Sequence, residues 1–578
     1  MITSERKPRH AAALSPTKVL TVAQMRALED DCFNQGLARA ALMEQAIQGL
    51  AATIIERWPR QQHRNVVVLV GPGGNGADGL GLARALQLAG YRTHAACVAD
   101  RAGQNDLWEA QHQFAQHCGV TLLPPRTAQD TTGLALLCAE ADVLIDAIWG
   151  LGFSADRSMN LATLFSDIEK ALRQRRTMSE PHLRHHPVVV AIDGPSGLEL
   201  DGRTAADEVV ALRAQETLTL GHWKPALVDD AYAPWVGRVT CVPFATPGPQ
   251  HSSASMVSVS RTLEDLKHHL DSLPQVCHKY RRGTVWVAAG SARYPGAARL
   301  AIAGALAARP GYVRWLSDHD GFLPDLPASV VPVMQVGPHG SVDFAQDTGS
   351  TRDHPASGLF GPGRTCYTEH ELAFIRNWPG PIVLDAGALE NPTVLSLFPY
   401  PYAASLSAPR ILTPHRGEFE KLWKVWSAQK TGRMSADAQT PDQPDSPQHH
   451  RLNLMERLQL MASNWNVTIL LKGAATLIAS PEGEVQVFYA PNNDLATAGT
   501  GDVLSGFLAA LLARGAPATL AASSSVVLQS LAAKSLGNDA LVKHPAAHQA
   551  LDEGTCYPTA LARAMALRLR QNSILQNQ

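Results

Sequence analysis

The sequence predicts an α/β protein of two doubly wound domains. Three observations carry this: 578 residues exceed one ordinary domain, apolar β-branched runs repeatedly lead through small-residue turns into helical periodicity, and a Pro, Gly and Ser-rich stretch divides the chain into two such series. The expected layout is a flexible tail over 1–18, a first domain over 19–245, a linker over 246–260 and a second domain over 261–570.

Composition narrows the function classes. Hydrophobic residues are 45% and charged ones 18%, the balance of a soluble globular protein, and the formal charge of -2 implies no general affinity for nucleic acid or anionic membrane. Eight cysteines without a C-x-x-C pair support neither a disulfide framework nor a zinc site, which fits a reducing cytoplasm. The basic, alanine-rich start lacks the apolar core of a secretory signal, and no apolar run is long enough to span a bilayer.

From Val22 to Glu56 apolar residues recur at helical spacing with a break near Gly36, predicting two helices. Val66–Val70 is a buried-strand run that enters Gly71-Pro72-Gly73-Gly74-Asn75-Gly76-Ala77-Asp78-Gly79, with a helix expected from Leu80 to Ala89. Strand, glycine turn and helix form the phosphate-binding arrangement of a doubly wound sheet. Gly71-x-Gly73-x-x-Gly76 alone would suit an NAD-dependent dehydrogenase, but no second cofactor signature follows. Asn75 and Asp78 add oxygen ligands suited to a hard cation or to ribose and amide groups. Two further strands end in polar loops: Val143–Ala147 carries Asp146 and leads to Trp149–Phe153, and Val188–Ile192 leads to Asp193-Gly194-Pro195-Ser196-Gly197. Loops at the carboxyl ends of parallel strands converge on one ligand site.

These motifs, with Leu42-Met43-Glu44 and Thr217–Lys224, resemble the Rossmann-like epimerase domain of the NAD(P)H-hydrate repair enzymes, the YjeF amino-terminal fold. The resemblance implies that Gly74, Asn75, Gly76, Ala77, Asp78, Gly150, Leu151, Gly152, Arg157 and Asp193 face the hydrated nucleotide. It also implies a potassium ion held by Asn75, Asp146 and Ser196. Asp193, at a strand end, is the candidate acid/base. The family loop usually reads G-x-G-N-N-G-G-D-G; here Gly74 removes an amide, and Ala77 adds a methyl where positive φ is expected.

The second series starts at His278-Lys279 and the strand Thr284–Ala289, and runs through Tyr294-Pro295-Gly296-Ala297-Ala298 into an alanine-rich helix ended by Arg309-Pro310-Gly311. It continues with Gly361-Pro362-Gly363, Ile382–Ala386, Ile411–Phe419, and Val467–Leu471 followed by Lys472-Gly473-Ala474-Ala475-Thr476. Ser427–Arg451 is polar and proline-bearing, and is expected to be a disordered insertion. Ala496-Thr497-Ala498-Gly499-Thr500-Gly501-Asp502-Val503-Leu504-Ser505-Gly506 then opens an apolar helix. Free N–H groups at such a start attract anions, and Asp502 places a carboxylate beside them, suited to holding a phosphate and moving a proton.

The order L-T-P-H-x-G-E-F, L-K-G-A-x-T, A-T-A-G-T-G-D-V-L-S-G resembles the ADP- or ATP-dependent NAD(P)H-hydrate dehydratases, a ribokinase-like fold. The resemblance implies Asp502 as base, Ala297, Gly363, His415 and Asp502 around the hydrate, Lys472, Gly473, Ala474, Ala475, Thr476 and Gly501 around the nucleotide, ADP as phosphoryl donor, and Mg²⁺. The partners would be hydrated NADH or NADPH and ADP, with neither nucleic acid nor membrane; a homo-oligomer is compatible with this. Leu384–Glu390 departs from the family's L-D-A-D-G/A-L-N at Gly387 and Glu390. Two alternatives stand: a ribokinase-like kinase of a small alcohol, which leaves the first half unexplained, and a nucleotide-binding regulator with one or both sites inactive.

Overall fold

The computed structural model describes residues 17–98, 106–123, 131–153, 161–177, 187–244, 254–272, 278–317, 326–334, 355–391, 394, 408–430, 452–539 and 557–574. Contacts divide the chain into two compact units, Met1–Ser255 with His450–Leu454, and Met256–His449 with Met455–Gln578.

In the first unit, β1 (Asn65–Val70), β2 (Arg92–Cys97), β3 (Thr121–Leu123), β4 (Val143–Ala147), β5 (Val188–Ile192), β6 (Glu216–Leu220) and β7 (Arg238–Val242) form a sheet in the order β3-β2-β1-β4-β5-β6-β7. Each neighbouring pair is parallel. Both faces are covered, one core gathering Val66, Val68, Leu80 and Ile192, the other Val67, Leu69, Leu144 and Ile168. That explains the unbroken apolar strands, since a parallel sheet wound on both sides has no wet face. The chain steps outward from β1 in one direction and returns through β4 in the other, so the crevice between the ends of β1 and β4 is the switch point where such sheets bind ligands. Gly71 is required there because a β-carbon would lie 1.9 Å from the Ile148 carbonyl.

The second sheet consists of β8 (Ala254–Met256), which spans the boundary after Ser255, and of β9 (Thr284–Ala288), β10 (Tyr312–Ser317), β11 (Val330–Met334), β12 (Ala356–Phe360), β13 (Ile382–Leu384), β14 (Arg410–Leu412), β15 (Thr468–Leu471), β16 (Ala475–Ala479) and β17 (Val485–Tyr489) of the second unit, in the order β11-β10-β9-β12-β13-β14-β15-β16-β17-β8. The run from β11 to β15 is parallel. β15, β16 and β17 are antiparallel, so the second sheet is mixed. The apolar helices Pro295–Ala307 and Thr500–Ala513 pack so closely that a β-carbon at Gly506 would lie 2.0 Å from the Ala301 carbonyl.

Several sequence expectations shift. The helix after β1 is Gly74–Leu88, so most of the expected Gly71–Gly79 loop is helical, and Ala77 is a buried helical residue without the positive φ expected of it. The linker expected over 246–260 contains β8, and from Val259 a helix whose N-cap, Ser258, accepts from the Arg261 N–H. The helix Arg416–Lys430 carries four residues into the expected insertion, because Trp423 and Trp426 bury an apolar face; 431–451 lie outside the described residues. Of the tail, 1–16 lie outside them and Lys18 makes a β-bridge with Ser255. No helix among the described residues is long and apolar enough to cross a membrane.

Candidate active sites

A cavity of about 490 Å³ opens at the β1/β4 switch point of the first unit. Its polar wall comes from strand ends: Gly73, Gly74, Asn75 and Asp78 after β1, Ile148–Gly152 after β4, Asp193 after β5 and Lys224 after β6. Its other wall comes from the helices Val22–Asn34 and Arg39–Arg57, with Met25, Glu29, Leu42 and Met43. Gly74 is open, a β-carbon there meeting no atom within 4 Å, so the missing amide leaves space in the site.

Asp193 is held under constraint. Its φ is +65°, uncommon for a residue with a β-carbon, and such strain persists where surrounding bonds fix it. Its N–H donates to the Leu218 carbonyl at 2.8 Å, and its carboxylate accepts from the Leu220 N–H at 3.3 Å and from the Lys224 ammonium. Lys224 is fully buried and also donates to Thr219 Oγ1 and the Leu220 carbonyl, each at 3.0 Å. A buried lysine with all three protons placed is an orienting device for the carboxylate beside it. Lys224 had been legible only as part of the Thr217–Lys224 match.

Asp146 and Ser196 meet beneath this site. Ser196 Oγ donates to Asp146 Oδ1 at 2.5 Å, its N–H to Oδ2 at 2.8 Å, and the Ile148 N–H to Oδ1 at 3.3 Å. Burial pushes the Asp146 carboxyl up to about 6 against the hydrogen bonds from Ser196 and Ile148. Asn75 donates to the Ile192 carbonyl at 3.3 Å, leaving its amide oxygen as an acceptor. Arg157 lies outside the described residues.

In the second unit the strand ends again gather the chemistry. β13 delivers Asp385, β14 Thr413–His415, β15 Lys472, and the helix Thr500–Ala513 begins on Gly499, whose φ of +92° suits glycine. Lys472 Nζ donates to Asp385 Oδ1 at 2.7 Å, and a β-carbon at Gly501 would lie 3.4 Å from that Nζ, so the ammonium faces the helix start. Burial works against the charge of Lys472, but the carboxylates of Asp385, Glu418 and Asp502 outweigh it and raise its pKa. Burial pushes Asp502 up to about 7, Asp385 adds to this, and Lys472 opposes it. Glu418 is likewise raised by burial against the pull of Lys472. Neither Asp385 nor Glu418 was singled out from sequence, although both stand within quoted motifs.

His415 Nδ1 accepts from the Gly417 and Glu418 N–H groups at 3.0 and 3.3 Å, capping the Arg416–Lys430 helix, while much of the ring stays exposed. Lys472–Ala474 form the turn between β15 and β16; Gly473 and Ala474 are exposed, and Thr476 Oγ1 donates to the Gly473 carbonyl at 3.2 Å. At the β9/β12 switch point, Gly363 and Ala297 adjoin, a β-carbon at Gly363 lying 2.6 Å from that of Ala297. Gly387 has no room for a side chain, its β-carbon position being 1.9 Å from the Arg364 carbonyl, and Glu390 is exposed and paired with Lys421. The two departures therefore belong to local packing and a surface ion pair.

Fold and sites together define a two-unit enzyme: each doubly wound sheet presents, at its strand ends, a carboxylate paired with a lysine, Asp193 with the buried Lys224 and Asp385 with the half-buried Lys472. Residues 39–226 match the family described as YjeF-related protein N-terminus, and 285–554 match NAD(P)H-hydrate dehydratase. The bifunctional NAD(P)H-hydrate repair enzyme Nnr of Thermosynechococcus vestitus is 30% identical over 506 residues, 86% of this chain and 88% of its own. The enzyme of the same name from Salinibacter ruber is 28% identical over 91% of this chain and 93% of its own. Among solved structures, an ADP/ATP-dependent NAD(P)H-hydrate dehydratase from Bacillus subtilis, co-crystallized with ATP/Mg²⁺, is 22% identical with a TM-score of 0.38, covering 54% of this chain and 97% of its own. The chain belongs to the family of bifunctional NAD(P)H-hydrate repair enzymes.

Proposed function

We propose that the chain restores hydrated NADH and NADPH by interconverting their R and S epimers in the first unit and dehydrating the S epimer in the second, with ADP as donor and AMP and phosphate as products. The placement of Asp502 at a helix start, beside Lys472, carries the second assignment. The hydrate bears a hydroxyl at C6 of the reduced nicotinamide ring, and hydroxide leaves poorly. Asp502 takes the hydroxyl proton as the oxygen attacks the β-phosphoryl group of ADP. The N–H groups at the start of the helix steady the transferring group, a preorganised electrostatic role. Phosphate then departs with help from the ring-nitrogen lone pair, and loss of a C5 proton restores the dihydronicotinamide. Lys472 and the Gly473–Thr476 turn hold the nucleotide, while Ala297, Gly363 and His415 border the hydrate. Mg²⁺, when bound with the nucleotide, would neutralise charge on the phosphates. Mg²⁺ is characteristically held by one or two carboxylates together with the phosphates of its nucleotide, and Asp385 and Asp502 are the carboxylates beside Lys472 here.

A base must be ionised to act. With Asp502 pushed up to about 7, dehydratase kcat/KM should rise with pH through about 7 and level above it. A profile flat from pH 5 to 9 would remove Asp502 from the proton transfer. The assignment itself is tested with pure S epimer, ADP and Mg²⁺: NADH absorbance should return with one AMP and one phosphate per NADH. No return with either ADP or ATP would overturn it.

In the first unit C6, bonded to both oxygen and nitrogen, can lose and regain its oxygen, and Asp193 is the acid/base. A potassium ion fits the donor chemistry of Asn75, Asp146 and Ser196: all three present oxygen, and a buried carboxylate without a paired basic side chain gains from a cation. Replacing KCl by tetramethylammonium chloride at pH 8 should lower the thermal midpoint of the wild type and leave Asp146→Asn unchanged. Equal midpoints for the wild type would remove potassium from the site. Small molecules are the partners in this reading, and the cytoplasm is the compartment.

A further inference from the structure

The cavity of the first unit holds three carboxyl groups, and the epimerisation so far uses one. Asp78 sits in the second turn of the helix Gly74–Leu88 and lines the cavity together with Asp193. Among the described residues no side chain donates to its carboxyl. Burial raises its pKa well above the usual carboxylate range, and the nearby charges of Asp193 and Glu29 add to this. Asp193 is the contrasting case, ion-paired with Lys224 and bonded by the Leu220 N–H. A carboxyl that no side chain donates to and one held by a buried ammonium are suited to different halves of a proton transfer in one site. Other charged groups facing the cavity are Glu29 and Arg26 on the helix Val22–Asn34, and Arg39 at the start of the next helix.

Position agrees with this division. Asp78 follows β1 and Asp193 follows β5, with β4 between them. Both residues line the one cavity, Asp78 from the helix that follows β1 and Asp193 from the loop that follows β5. After β4 comes Gly150, where a β-carbon would lie 3.2 Å from Asp193 Oδ2 and 3.3 Å from the Asn75 amide. A glycine there keeps the space between the two sides open.

We infer that Asp78 is the second acid–base group of the epimerase, its carboxyl giving a proton to the departing C6 hydroxyl on one face of the ring while Asp193 takes a proton from the water adding to the other face. The inference rests on the epimerase reading of this unit. In one direction the C6–O bond breaks with its electron pair going to oxygen, which collects the Asp78 proton and leaves as water. The N1 lone pair closes a C6=N1 double bond, leaving a positive ring. Water then adds to the opposite face, its oxygen bonding C6, the C=N pair returning to nitrogen and its proton passing to Asp193. The reverse direction uses the same groups with roles exchanged, and a reverse turnover or proton exchange with solvent resets them.

The test uses the full chain and separated epimers without ADP, in H₂¹⁸O. The wild type should epimerise each with solvent oxygen entering at C6. Asp78→Asn, which keeps shape and removes the transferable proton, should lower kcat by about 10²–10⁴ with KM close to wild type. Asp78→Ala should recover activity when formate is added. Wild-type kcat in Asp78→Asn, a raised KM with unchanged kcat, or epimerisation that retains the original oxygen would overturn the inference. Failure of the wild type to epimerise would overturn the epimerase reading itself, an outcome distinct from these.

Discussion

Asp502→Asn should lower dehydratase kcat by about 10²–10⁴ while AMP affinity stays close to wild type. The amide keeps the shape and hydrogen-bonding reach of the carboxylate but cannot accept the hydroxyl proton. The helix start and the Lys472–Thr476 turn, which hold the nucleotide in this reading, remain in place. Removing a half-buried carboxylate from beside Asp385 also relieves like-charge repulsion, so the variant should fold at least as well as wild type. Equilibrium AMP titration beside steady-state kinetics separates the roles. Lost nucleotide affinity with retained kcat would assign Asp502 to binding.

The second large effect is expected in the other unit. Asp193→Asn should abolish epimerisation while dehydration of pure S epimer continues, because the two carboxylates serve separate sites. The substitution leaves Lys224 buried opposite a neutral amide, and breaking a buried pair destabilises by about 3–5 kcal/mol. Thermal melting must therefore accompany the assay. Asp193→Glu retains the charge, and its epimerase loss would show that position as well as charge matters. Simultaneous loss of both activities with a normal melt would contradict independent sites.

The parts of both sites that the sequence disclosed are those fixed locally. A run such as Val188–Ile192 must be a buried strand, and a polar residue straight after it must emerge at the carboxyl end, so Asp193 and Lys472 were readable as candidate site residues, as was Asp146 within the last two residues of its strand. Asp502 was readable because a glycine turn before an apolar run predicts a helix start. Lys224, Asp385 and Glu418 were not given roles, because their parts arise from strand order: Lys224 reaches Asp193 only because β6 lies beside β5, and Lys472 reaches Asp385 across β14. Glu29 belongs to a helix that periodicity identifies without showing which polar residues face a cavity. The unusual lysine among His222, Trp223, Pro225 and Ala226 was the one local signal for a buried cation.

The error at Ala77 has the same origin. A glycine-rich string reads as an extended loop with positive φ, yet Gly74 already begins the helix, and only packing against β1 and β4 determines this. The misplaced end of the Arg416–Lys430 helix likewise reflects tertiary burial of Trp426 overriding a polar local composition.

The coupled activity is tested most directly by an equilibrated mixture of R and S NADH hydrate incubated with the full chain, ADP and Mg²⁺, following NADH absorbance to its end point. Two working units should bring the whole mixture back to NADH, with AMP and phosphate released in equal amounts. Recovery that halts at the share of the S epimer, or none at all, would contradict the assignment of one or both units.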